Sequence, residues 1–370
     1  MNQMKKLISL LPVLLAVLAC QQRPVAVRDT IPYVKQLAVD TAGTFSLVKS
    51  YLTAGTKGSI AIIGEPEASL SLAAAFEKAD RVDNIDGKAS RDSLPDFAGE
   101  SFDVVMDLYN APYGRMAASS PDSLREVSVR NAVMAVDTVA YSNALEATSR
   151  LVKSKAKVLV FSSSYPVEYG LFDVDTLFLM ARREPLILTP VDAMVGAARR
   201  SGCKRVAVWA PAALKPAYEA AGEAAGLDVT VVSTSDKPLL RTAFRDMLRL
   251  YREARPDSVL DAVLLDSFTV DVDELSAELE HIHRQITEED MAFDRLLAPQ
   301  FRFIEPNTSL TEACYRLLRE RNLFTHNIAR PAVRYYRTEE NRDGGYVLVE
   351  IGRNYLSSIV SSAEYVPDLD

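Results

Sequence analysis

Near-continuous apolar runs alternate with amphipathic stretches of helical period along most of the chain. The runs Ser59 to Ile63, Phe102 to Met106, Lys157 to Phe161, Arg205 to Trp209 and Asp261 to Leu265 have the composition of parallel strands covered on both faces. Between them the period predicts helices over 68–79, 120–153, 171–182, 191–200, 214–225 and 239–254, the second long enough to be two. Ser120-Pro121-Asp122 reads as a helix start, with a serine cap, a proline whose missing N–H costs nothing and an acid at the positive dipole end. Shorter strands are predicted at 81–85, 186–188 and 228–233. The strand–helix series runs twice, which predicts an α/β fold of two lobes with parallel sheets, over 41–165 and 166–285. The last part, 286–370, changes character. It reads as a strand at Phe301 to Ile304, a helix over 309–319, and a hairpin of Val333 to Thr338 with Tyr346 to Ile351, an extension that returns to the lobes.

The N-terminus stands apart from this pattern. Lys5 and Lys6 precede an apolar run from Leu7 to Ala19, which at about 1.5 Å per residue covers roughly 20 Å, short of a bilayer core. The ending Val17-Leu18-Ala19-Cys20 resembles a bacterial lipoprotein signal, with 1–19 as signal peptide, and that resemblance implies acylation of Cys20 and a membrane held through its acyl chains. Residues 20–40 then form a tether. Gln21 after the anchor favours the outer membrane, with the body in the periplasm or at the cell surface.

The full sequence of 370 residues carries 42 basic and 50 acidic side chains, a net charge of −8; without 1–19 it is −10. That balance gives no basic face for phosphates, so no nucleic-acid partner is expected. Three cysteines exclude a disulfide scaffold, and Cys203 and Cys314 read as small buried hydrophobes.

In open parallel sheets, ligands bind beyond the carboxyl ends of the strands, where helix N-termini converge. The residues there are Glu65, Asp107 to Asn110, Ser162, Ser163, Ser164 and Tyr165, Thr189, Trp209, and Asp266 with Ser267. The serine run offers hydroxyls to a polar ligand, although serines also simply make turns and caps. Trp209 and Tyr165 offer faces for stacking, and Asp107 and Asp266 offer acceptors. His281 and His283 lie on different sides of a helix, which disfavours zinc. Val82 and Ser93 stand where calcium ligands belong. No phosphate-binding glycine motif follows Ser59 to Ile63, and three S-x-x-K matches lack the K-T-G that would give them meaning. No metal and no cofactor is expected.

Thr189-Pro190-Val191, the segment Gly202-Cys203-Lys204-Arg205-Val206-Ala207-Val208-Trp209-Ala210-Pro211 and Ala225-Gly226-Leu227-Asp228-Val229 resemble the second lobe of type 1 periplasmic ligand-binding proteins. They also resemble the aspartate/glutamate racemase and maleate isomerase superfamily, and both resemblances cover roughly 162–268. The first implies Rossmann-like lobes closing on a small polar molecule for an envelope transporter permease or sensor, and this is the expected function. The second implies a pair of cysteines, one per lobe at a strand end, serving as base and acid. Here those ends carry Ser162 to Ser164 and Asp266-Ser267. The alternatives are therefore an envelope enzyme on that frame using Asp107, Glu65 or Asp266 in place of thiols, or a ligand-free interaction scaffold.

Overall fold

Alternate residues of the strand that opens the first sheet serve two different cores. A computed structural model describes residues 28–363 apart from 41–42, 52–54, 84–87, 235–238, 326, 328 and 343–344. In chain order its strands are Ser59–Gly64 (β1), Ser101–Met106 (β2), Val139–Tyr141 (β3), Arg150–Val152 (β4), Ala156–Phe161 (β5), Ile187–Leu188 (β6), Arg205–Trp209 (β7), Asp228–Val232 (β8), Leu260–Leu265 (β9), Leu297–Ile304 (β10), Ala332–Glu340 (β11) and Tyr346–Ile351 (β12). Among the described residues, one sheet has the order β4-β3-β12-β11-β2-β1-β5-β6 and the other the order β10-β9-β7-β8.

In β1, Ala61 and Ile63 pack with the helices Pro121–Val136 and Leu171–Met180, while Ile60 and Ile62 pack with Pro66–Lys78 and Pro306–Glu320. The second sheet repeats the arrangement. Val206, Val208 and Leu264 face the helices Pro190–Arg200 and Lys215–Ala225; Ala207, Val263 and Leu265 face Leu240–Ala254 and Val272–His283. Two three-layer lobes result; β1, β2 and β5 are parallel in the first sheet, and β7, β8 and β9 are parallel in the second.

Several sequence expectations change. No strand forms at Arg81: the backbone N–H groups of Arg81 and Val82 donate instead to the Asp96 carboxylate, at 3.0–3.1 Å. The long helix stops at Val136, and β3 and β4 follow as a small antiparallel pair. The run at 186–188 does not start the second lobe; it forms β6, which pairs with β5 at the edge of the first sheet. Within the stretch read as a tether, Pro32–Val39 is a helix whose Val34 and Leu37 are buried. The C-terminal extension divides between the lobes: β10 pairs with β9, whereas β11 and β12 form the hairpin and enter the first sheet between β2 and β3.

The amino ends of the first sheet hold a fully buried ion pair. Lys157 Nζ lies 2.5 Å from Glu100 Oε2 and also donates to the Leu323 carbonyl at 2.7 Å, while Thr325 N donates to Glu100 Oε1 at 2.8 Å. Removing one partner strands the other charge away from water. Lys157→Met alone should lower stability by about 3–5 kcal/mol. Lys157→Met combined with Glu100→Gln should recover more than half of that loss, read from urea unfolding midpoints.

Candidate active site between the lobes

The carboxyl ends of β1, β2 and β5 in the first lobe and of β9 in the second meet along one seam. β1 lies where the strand order reverses, with β2 on one side and β5 on the other, the position at which parallel sheets open a crevice. Gly64 ends β1 at φ +154; a Cβ there would come within 2.4 Å of Ser162 Oγ, so only glycine lets the two strand exits run this close. Glu65 then leaves the sheet and is fixed from two sides. Tyr113 N donates to its Oε1 at 2.9 Å and Ser163 Oγ donates to its Oε2 at 3.0 Å.

Asp107, at the end of β2, has no exposed surface. Its Oδ1 accepts from Thr338 Oγ1 at 2.8 Å and from Asn110 Nδ2 at 2.9 Å, and its Oδ2 from Asn131 Nδ2 at 2.8 Å and the Tyr113 hydroxyl at 3.0 Å. Thr338 arrives through register: Arg337 of β11 pairs with Met106, so the next residue lies beside Asp107.

The second lobe contributes Asp266, at the end of β9. Its Oδ1 accepts from Ser164 Oγ across the seam at 2.5 Å and from the Tyr218 hydroxyl at 2.7 Å. Tyr165 completes the site beside these groups, over Gly114, where a Cβ would meet its hydroxyl at 2.8 Å. Glu65, Asn110, Tyr165 and Asp266 keep part of their surface open.

Burial dominates the electrostatics. It raises the Glu65 carboxyl above its ordinary value against the Tyr113 and Ser163 hydrogen bonds, and the Asp266 and Asp107 charges push the same way. Burial also raises Asp266, against its bonds from Ser164 and Tyr218. Tyr165 is pushed up to about 12 by burial and then by the charges of Glu65 and Asp266.

The candidates read from the sequence thus separate. Glu65, Asp107, Asn110, Ser163, Ser164, Tyr165 and Asp266 come together. Ser162 stands behind them, bonded to Ser69 Oγ at 2.7 Å. Thr189 caps the helix Pro190–Arg200, accepting from Asp192 N at 3.2 Å and donating to its carboxylate at 2.7 Å. Trp209 stacks on Phe244 and donates to Thr234 Oγ1 at 2.9 Å, engaged on the other core. Ser267 lines a crevice of about 690 Å³ whose walls include Asp271, Asn307 and Glu312 but none of the three carboxylates. Cys203 and Cys314 are free and buried away from these groups, and burial pushes both thiols up. Among the described residues no cluster fit to hold a metal ion occurs. Tyr113, Asn131, Tyr218 and Thr338 were not singled out by the sequence. The one visible signal was Asn131, an amide on the otherwise apolar face of its helix.

No protein-family profile and no curated protein matches the chain. Solved structures do. A glutamate racemase from Bacillus anthracis superposes with a TM-score of 0.50 at 13% identity, covering 85% of this chain and 97% of that one. A glutamate racemase from Francisella tularensis in complex with D-glutamate gives 0.49 at 13% identity, covering 83% and 94%. One from Aquifex pyrophilus gives 0.47 at 15%, covering 77% and 91%. The Bacillus likeness is one of fold, and it overturns the expected kinship with periplasmic ligand-binding proteins and, with it, the solute-capture reading. The lipoprotein reading finds no support in these comparisons. Cys20 and the signal segment lie outside the described residues, and among those described no helix is long and apolar enough to cross a membrane.

A carboxyl raised in the folded state holds its proton more tightly there than in the unfolded chain. Stability therefore falls as pH climbs from the ordinary carboxylate value through the raised one. Glu65→Gln and Asp266→Asn, which remove that loss, should raise the melting temperature at neutral pH, and the difference from the parent should close by about pH 4. Thermal unfolding across this range checks it.

Proposed function

We propose that the chain is an enzyme that moves a proton at a carbon of a small molecule held between the lobes, with Glu65 and Asp266 as its base and acid. One observation carries this reading: two carboxyl groups, one from each lobe at a strand end, are both raised by burial. Racemases of the resembled superfamily use a cysteine from each lobe in this role, and the strand ends here carry no thiol. A carboxyl shifted upward is a stronger base when ionised and still holds a proton closer to neutrality, which suits both halves of a proton transfer.

In this reading the ionised partner takes a proton from the carbon, and the protonated partner returns one, so that the pair ends with the same number of protons. Ser163 and Tyr113 N–H hold the Glu65 carboxylate in place, and Ser164 and Tyr218 do the same for Asp266. Asp107, buried and ringed by neutral donors, is a positioning residue that fixes Tyr113, and through its backbone N–H the Glu65 carboxyl.

The test is solvent exchange. A panel of amino acids, hydroxy acids and their amides is incubated with the protein in D₂O, and loss of the α-proton is followed by NMR. At least one compound should exchange, and Glu65→Gln or Asp266→Asn should slow that exchange by about 10²–10⁴-fold with the circular dichroism unchanged. Exchange unaffected by either substitution, or absent for every compound that binds, overturns the proposal.

A further inference from the structure

We infer that the compound held between the lobes carries an ammonium or other cationic group, and that dicarboxylates are not its substrates. The inference rests on the proton-transfer site proposed above and deepens it, because it follows from an inventory of what that site offers.

Side-chain donors are largely spent there and side-chain acceptors are left over. Ser163 Oγ and Tyr113 N–H are committed to Glu65. The Tyr113 hydroxyl and the side chains of Asn110, Asn131 and Thr338 are committed to Asp107. Ser164 and Tyr218 are committed to Asp266. The Tyr165 hydroxyl is the side-chain donor of the group that has no such commitment. Against this, Asp266 Oδ2 accepts no hydrogen bond among the described residues, while its Oδ1 accepts two. Asn131 is 2% exposed, and its Oδ1 has no donor although its Nδ2 is bonded to both Asp107 and Tyr113. An acceptor buried without a donor is costly, and a ligand that brings donors relieves the cost.

Charge points the same way. No lysine, arginine or histidine is among the described groups that act on Glu65, Asp266 or Tyr165. On the helix Pro121–Val136, Arg125 pairs with Asp173 at 2.7 Å and Arg130 with Glu126 at 2.5 Å, while Arg115 of the helix Tyr113–Ser119 is exposed. Arg28 pairs with Glu168 at 2.6 Å. A dicarboxylate would add two negative charges to three acids, offset at most by its own single ammonium in glutamate or aspartate, with no lysine, arginine or histidine among the described groups acting on Glu65 or Asp266. An ammonium supplies three donors and one positive charge, and the Tyr165 ring gives it an aromatic face.

The experiment is a binding panel on the full chain: L-lysine, L-arginine and 1,4-diaminobutane against L-glutamate, D-glutamate, L-aspartate and succinate, by thermal shift and then calorimetry. At least one cationic probe should raise the melting temperature, and no dicarboxylate should. The dissociation constant of that probe should rise by about tenfold or more in Glu65→Gln and in Asp266→Asn, each with unchanged circular dichroism. Stabilisation by a dicarboxylate, failure of every cationic probe, or cation binding indifferent to both substitutions overturns the inference. Exchange in D₂O on a dicarboxylate would overturn this inference while leaving the proton-transfer reading intact. Binding of a cation without exchange on any compound would do the reverse.

Discussion

A carboxylate with no exposed surface has to be surrounded by donors, and Asp107 draws its donors from distant parts of the chain. Asn110 is local, Tyr113 opens the next helix, Asn131 sits well along the following one, and Thr338 comes from the C-terminal hairpin more than two hundred residues later. Each bond ties a different segment to the end of β2. The register of β11 on β2 is the clearest case: slipping it by one residue would turn Thr338 away from the carboxylate and also send Tyr335 and Tyr336 to the wrong cores. The same Tyr113 that serves Asp107 through its hydroxyl serves Glu65 through its backbone N–H, so the two carboxyl groups of the first lobe are held by one residue.

This dependence explains what the sequence revealed and what it hid. The apolar runs at β1, β2, β5, β7 and β9 state their burial locally, and the residues that leave them, Glu65, Asp107, Ser163, Ser164 and Asp266, follow from the position of each strand's end. Their partners do not. Thr338 looks like any polar residue of a hairpin until β11 is known to lie beside β2, and that pairing is long-range. Arg81 to Ile85 reads as a strand from its residues, yet the backbone N–H groups of Arg81 and Val82 are taken by Asp96. The run at 186–188 is apolar in the manner of any short strand, and nothing local says which sheet it will join. Thr189 and Trp209 stand at strand ends as expected, but a helix cap and a second core claim them. The glycine, basic pair and Val-Ala-Val of β7 mark a parallel strand in either twin-lobed family, so they predict the architecture and not the kinship.

Buried acids occur at both ends of the first sheet, and the molecule treats them differently. At the amino ends Glu100 has Lys157 at 2.5 Å, and Asp103 has Arg334 at 3.2 Å with Lys153 at 3.8 Å and a hydrogen bond from Ser59, while Asp96 is held by the backbone N–H groups of Arg81 and Val82. At the carboxyl ends Glu65, and across the seam Asp266 at the end of β9 in the second sheet, have only neutral donors, and burial raises both carboxyls as it also raises Glu100. A fold able to bury Lys153 and Lys157 beside its acids at one end therefore does not lack the means at the other. Neutral donors orient a carboxyl without placing a positive charge beside it, whereas a lysine or arginine pulls toward the carboxylate form. An acid that must take up and release a proton, and that must leave room for a positive charge brought in from outside, is best served by the first arrangement. The amino end joins strands through charge, and the proposed proton transfer uses the acids that neutral donors hold.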